Sequence, residues 1–113
     1  MPKLMTSDKA LQLILAEIDE IKGDNPIAVD VRKFTDITDH MLVVGGRSSR
    51  HIKAISERIK EIAKKNKLDI LGSEGEEDKE WILLDLNIVV VHVMSSAARE
   101  LYQLESLWSV SPD

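Results

Sequence analysis

The chain has 113 residues, of which 43% are hydrophobic and 31% charged, enough for one domain with one core. It contains no cysteine, which excludes a disulfide framework, a thiolate metal site and a cysteine nucleophile. The net charge is only −5, the N-terminus has no continuous apolar segment of signal-peptide type, and no apolar run approaches the roughly 18 residues of a membrane span. A cytoplasmic protein stabilised mainly by aliphatic burial is expected, because aromatic residues are scarce.

Residues 7–22 predict an amphipathic helix, with Leu11, Ile14, Leu15, Ile18 and Ile21 recurring at three- and four-residue spacing. Ser7 or Asp8 suits its N-cap and Gly23 its stop, and Asp24-Asn25-Pro26 reads as a turn. Residues 27–32 alternate, with Ile27, Val29 and Val31 on the face to be buried, as in a half-buried strand. Residues 33–39 read as a loop with two apolar anchors. His40-Met41-Leu42-Val43-Val44 is apolar on both faces and is expected to be a central strand, ended by Gly45-Gly46.

Ser48 or Ser49 caps a second helix reaching about Lys67, with Ile52, Ile55, Ile59 and Ile62 as its buried stripe. Residues 69–72 suggest a short third strand, and residues 81–85 and 88–94 an antiparallel hairpin. Ser95 or Ser96 opens a last helix with Leu101, Leu104 and Trp108 on one face, and residues 109–113 are expected to fray. The predicted order is α-β-β-α-β-β-β-α. It gives an α/β domain in which a small mixed five-stranded sheet is flanked by helices, and the second helix offers a crossover between parallel strands.

Charge is segregated along the chain. Residues 47–67 hold Arg47, Arg50, Lys53, Arg58, Lys60, Lys64, Lys65 and Lys67 against Glu57 and Glu61, a net of +6. Residues 69–87 hold Asp69, Glu74, Glu76, Glu77, Asp78, Glu80 and Asp85 against Lys79, a net of −6. Two electrostatically distinct surfaces follow, or two faces that attract each other, or simply two solvated faces.

Catalytic patterns are weak. Gly45-Gly46-Arg47-Ser48-Ser49-Arg50 follows a strand and opens a helix, where backbone N–H groups can cradle a phosphate, but no GxGxxG or Walker pattern accompanies it. A capped strand-to-helix turn is the simpler reading. His40, His51 and His92 lack metal-ligand spacing, and His92, inside an apolar strand, reads as a partly buried, hydrogen-bonded histidine. Two-metal phosphoryl transfer needs paired carboxylates on one face, and Asp85-Leu86-Asn87 supplies only one, so these residues read as a hairpin turn. Trp81 beside Glu74, Glu76, Glu77 and Glu80 fits a protein-binding surface, an aromatic anchor in a charged rim suited to a basic partner.

The series Ile27-Ala28-Val29-Asp30-Val31-Arg32, Ile37-Thr38-Asp39-His40-Met41, Ser48-Ser49-Arg50-His51-Ile52-Lys53-Ala54-Ile55, Gly72-Ser73-Glu74-Gly75-Glu76, Glu80-Trp81-Ile82-Leu83-Leu84-Asp85-Leu86, Val89-Val90-Val91-His92-Val93-Met94 and Arg99–Trp108 resembles the Iojap-type ribosomal silencing factors, in order and with compatible spacing. The resemblance covers about residues 7–108 of a single 1–113 domain. It implies a fold related to nucleotidyltransferases and frequent homodimers. It also implies binding to a basic protein on the intersubunit face of the large ribosomal subunit, ribosomal protein number fourteen of that subunit. Bound there, such factors block joining of the small subunit and repress translation under nutrient limitation. The family often has Asp-Leu-Gly-Asp in the hairpin, where this chain has Asp85-Leu86-Asn87-Ile88. That departure leaves the turn itself to be determined.

The expectation is therefore a binding protein rather than an enzyme, with no cofactor and no metal, whose partner surface includes Trp81, Glu74, Glu76, Leu83, Asp85, Met94 and Tyr102. The alternatives are a nucleotide-binding or nucleotidyltransferase-like protein using Gly45–Arg50 and Asp85, and direct RNA contact by the basic helix.

Overall fold

The structure, a computed structural model, describes residues 6–75 and 80–102, with side chains up to residue 100. Its elements run α1 (Ser7–Glu20), β1 (Asp24–Asp30), β2 (His40–Gly46), α2 (Ser49–Lys65), β3 (Gly72–Glu74), β4 (Trp81–Asp85), β5 (Val89–Ser95) and α3 (Ser96–Tyr102). The predicted order holds. The five strands form one mixed sheet in the order β1-β2-β5-β4-β3. Only β2 and β5 pair in parallel; the other three neighbouring pairs are antiparallel. The crossover through α2 joins strands of like direction, as expected, but β3 lies at the far edge, beyond β5 and β4.

Alternation assigns the side chains to two faces. On the inner face Leu42, Val44, Ile82, Leu84, Val91 and Val93 meet Ile14 and Ile18 of α1 and Ile52, Ile55 and Ile59 of α2, all of them buried. Each such aliphatic side chain contributes about 1.5–3 kcal/mol by leaving water. Arg58 of α2 donates to Glu17 of α1 at 3.1 Å, tying the two helices together on their solvent side. On the outer face a second cluster gathers Val31, Met41, Val43 and Met94 with Ala98 of α3, and Val29 and Trp81 pack against it.

Element ends depart from the sequence expectations for identifiable reasons. Thr6, not Ser7 or Asp8, caps α1 by accepting the Lys9 N–H at 3.2 Å. Gly23 is not the left-handed residue at its C-terminus. Lys22 takes that role at φ 62°, while Gly23 donates to the Ile18 carbonyl at 2.9 Å. The end of α2 repeats this motif, with Asn66 as C-cap, Lys67 at φ 60° and Leu68 donating to the Ala63 carbonyl. Ser48 caps α2 and Ser95 caps α3. β1 starts at Asp24 with a register irregularity before Ile27, as an edge strand carrying Pro26 can. β3 is Gly72–Glu74 rather than 69–72, because pairing with Leu83–Asp85 sets its register. Leu104 and Trp108 lie outside the described residues, as does the side chain of Leu101.

Candidate functional site

Strand register places the site residues. Ile27, Val43, His92, Leu83 and Glu74 form one row across the outer face, through successive Cα partners on β1, β2, β5, β4 and β3. The row on one side holds Gly45, Met94 and Trp81, and the row on the other holds Val29, Met41, Val90, Asp85 and Gly72. Trp81, Leu83, Asp85 and Glu74, separated in sequence, therefore share one sheet face. Trp81, Leu83, Asp85 and Val90 are partly buried and Glu74 is exposed.

Trp81 is held in place. Its Nε1–H donates to His92 Nδ1 at 3.0 Å, and the two rings lie 5.8 Å apart at a tilt of 50°. The acceptor role requires a lone pair on Nδ1, so the His92 proton sits on Nε2. Burial pushes the His92 pKa down to about 4, which keeps the ring neutral at ordinary pH. His92 is thus the partly buried, hydrogen-bonded histidine expected from the sequence. Its role in orienting the tryptophan was not legible there, although the hairpin register, once known, makes the two residues diagonal neighbours.

Met94 departs from expectation. It has no exposed surface, because it is the cross-strand partner of Trp81 and is covered by that residue and by α3. It supports the tryptophan from beneath instead of bordering the surface. Glu76 lies outside the described residues, and Tyr102 ends α3 with its side chain outside them too.

The acidic loop leaves β3 through Gly75, at φ 86°. A Cβ there would stand 2.1 Å from the Trp81 carbonyl oxygen, so glycine is required both by the backbone and by the space. At the other end of β4, Leu86 and Val89 close the hairpin through a 2.9 Å bond. Ile88 N–H reaches the Leu86 carbonyl at 2.8 Å across Asn87 at φ 71°, a γ-turn of the positive-φ kind. Asp85 Oδ1 accepts the Asn87 N–H at 2.9 Å. Asn87 thus fills the left-handed position that glycine often takes in similar hairpins, and asparagine tolerates it better than most residues.

The outer face continues past His92 into a cavity of about 190 Å³, lined by Val31, Met41, Val90, His92 and the loop residues Thr35, Ile37 and Thr38. Phe34 and Ile37 on that loop are 52% and 77% exposed. The sequence marked them only as loop anchors.

The glycine pair before α2 has a packing explanation. A Cβ on Gly46 would stand 2.5 Å from Ile52 Cγ1, so the residue allows the first turn of α2 to approach β2. Two N–H groups of this turn are engaged within the chain: Arg47 N–H donates to His51 Nδ1 at 3.0 Å and His51 N–H to Ser48 Oγ at 3.1 Å. His51 Nε2 donates in turn to the Ile21 carbonyl at 2.9 Å, joining this turn to the end of α1. His40 meets Asp8 at 3.0 Å on the inner side of the sheet. The three histidines thus lie in three separate settings, and among the described residues no group of three His, Asp or Glu could hold a metal ion. None of the helices described is long and apolar enough to cross a membrane.

Residues 5–113 match the family described as ribosomal silencing factor during starvation. A ribosomal silencing factor of Chromobacterium violaceum is 40% identical over 97 residues, spanning 86% of this chain and 80% of that protein. One from Haemophilus influenzae is 36% identical over 99 residues, spanning 88% and 97%. A crystal structure of a Chromobacterium violaceum protein superposes with a TM-score of 0.90 at 37% identity, covering 96% of this chain and 91% of that one. The chain belongs to the ribosomal silencing factor family.

Proposed function

We propose that this chain docks through the outer sheet face onto a basic protein of the large ribosomal subunit, ribosomal protein number fourteen, on the surface where the small subunit joins. Its bulk there prevents joining and represses translation when nutrients are limiting. The observation that carries the reading is Trp81: a large aromatic fixed by His92, on an apolar face, with Glu74 and Asp85 on the same side. An oriented aromatic within a polar rim is the anatomy of an interface hot spot, and carboxylates favour a partner rich in lysine and arginine. Family membership supports the same reading. The protein then acts by occupancy, in the compartment that holds the ribosomes, and needs no chemical step.

Sedimentation with separated ribosomal subunits tests it. The chain should travel with the large subunit and not the small one, and should lower the yield of joined ribosomes. Trp81→Ala, verified as folded by circular dichroism, should lose roughly 2 kcal/mol of binding. Equal travel with both subunits, or none, rejects the proposal.

A further inference from the structure

We propose that the cavity beside His92 is a socket for one aliphatic side chain of a basic protein segment, with the His92 Nε2–H in its wall and the Asp85 carboxylate on the neighbouring strand beside it. The proposal rests on the docking reading above and specifies what the partner must present. At about 190 Å³ the cavity falls below the roughly 300–1,000 Å³ usual for small-molecule and cofactor sites, but it can seat a side chain. Val31, Met41 and Val90 supply aliphatic walls, and Ile37 stands exposed at the rim.

Two polar groups define the occupant further. His92 is only 9% exposed and lines the cavity. Its Nδ1 is taken by Trp81, so the proton lies on Nε2, which has no hydrogen-bond partner among the described residues. That donor faces an accessible space where a partner's carbonyl oxygen can accept from it. Asp85 is the cross-strand neighbour of Val90 and stands on the same face. Its Oδ1 accepts the Asn87 N–H, and Oδ2 has no partner among the described residues. That oxygen favours a lysine or arginine next to the inserted residue. A phosphate backbone or an anionic lipid would meet this carboxylate unfavourably, so the fitting partner is a protein. Socket and anchor are coupled, because the same His92 ring holds Trp81 at 3.0 Å.

The test measures binding of the full chain to purified large ribosomal subunits over a concentration series, with thermal melts confirming that each variant is folded. Val90→Phe fills the cavity from a partly exposed position. Ile37→Asp places a charge at its rim, where 77% exposure makes a folding defect unexpected. Each should weaken binding about tenfold or more, with Trp81 intact. If Trp81→Ala weakens binding while both socket variants bind like the unsubstituted chain, the socket is overturned and the docking face stands. If the unsubstituted chain does not bind large subunits, the docking reading falls and the socket with it.

Discussion

The two faces of the sheet are built from the same strands and end differently. Over its three central strands the inner face is covered by α1 and α2, of 14 and 17 residues, and its side chains there are buried. The outer face is also apolar. Among the described residues it is covered at one end by α3, of seven residues, while Leu83, Val90, Ile27 and Val29 stay partly accessible. An apolar surface that a chain leaves partly open is a common mark of an interaction site. The inner face holds the fold together, and the outer face is the one proposed to meet a partner.

Adjacent residues provide the sharpest way to break that contrast. Leu84 is fully buried on the inner face, and Leu83 is partly buried on the outer one. Leu84→Ala should cost roughly 2–5 kcal/mol in denaturant unfolding, through lost burial and the cavity left behind. Leu83→Ala should cost only about 1 kcal/mol of stability, typical of a partly exposed position, while weakening binding to the large subunit severalfold. Equal stability losses, with Leu83→Ala binding normally, would dissolve the distinction.

The outer face should also carry a pH dependence, set by His92. The folded chain holds the His92 pKa near 4, below the ordinary 6.5. Between these values the unfolded chain binds more protons than the folded one, so stability rises with pH across that window. The contribution is fully present above about pH 6.5 and is lost as pH falls toward 4, about 3 kcal/mol at most. Urea titrations at pH 7 and pH 4.5 should show the drop, and His92→Gln should flatten this part of the slope. An unchanged slope in that variant would place the titration elsewhere.

The smallest expected effect concerns the hairpin that joins the two faces' strands. Asn87 at φ 71° is in a conformation glycine accepts more readily. Asn87→Gly should raise stability by up to about 1 kcal/mol, seen as a higher urea midpoint with an unchanged slope. A loss instead would show that the asparagine side chain contributes more than its backbone costs.

Much of this was legible before the fold. Periodicity located the helices and strands, and Asp85-Leu86-Asn87 read as the hairpin turn that it forms. Trp81 and its acidic neighbours stood out as a candidate site, and the fold puts Trp81, Glu74 and Asp85 on one sheet face. Less legible were element ends, because Lys22 and Lys67 adopt a left-handed backbone that sequence rules assign to glycine. Met94 was misplaced because burial depends on what lies opposite a strand residue, and only the β4–β5 register puts Trp81 there.

The sequence by itself determined the order of elements, the apolar character of both faces of β2 and β5, and the segregation of charge. These are local properties, set by side-chain spacing and composition. Tertiary structure alone decided which face the two long helices cover, that His92 orients Trp81, and that the loop at 31–39 encloses a cavity with Val90. Those depend on strand register and on crossover paths between distant segments, where one residue of slip would exchange the two faces.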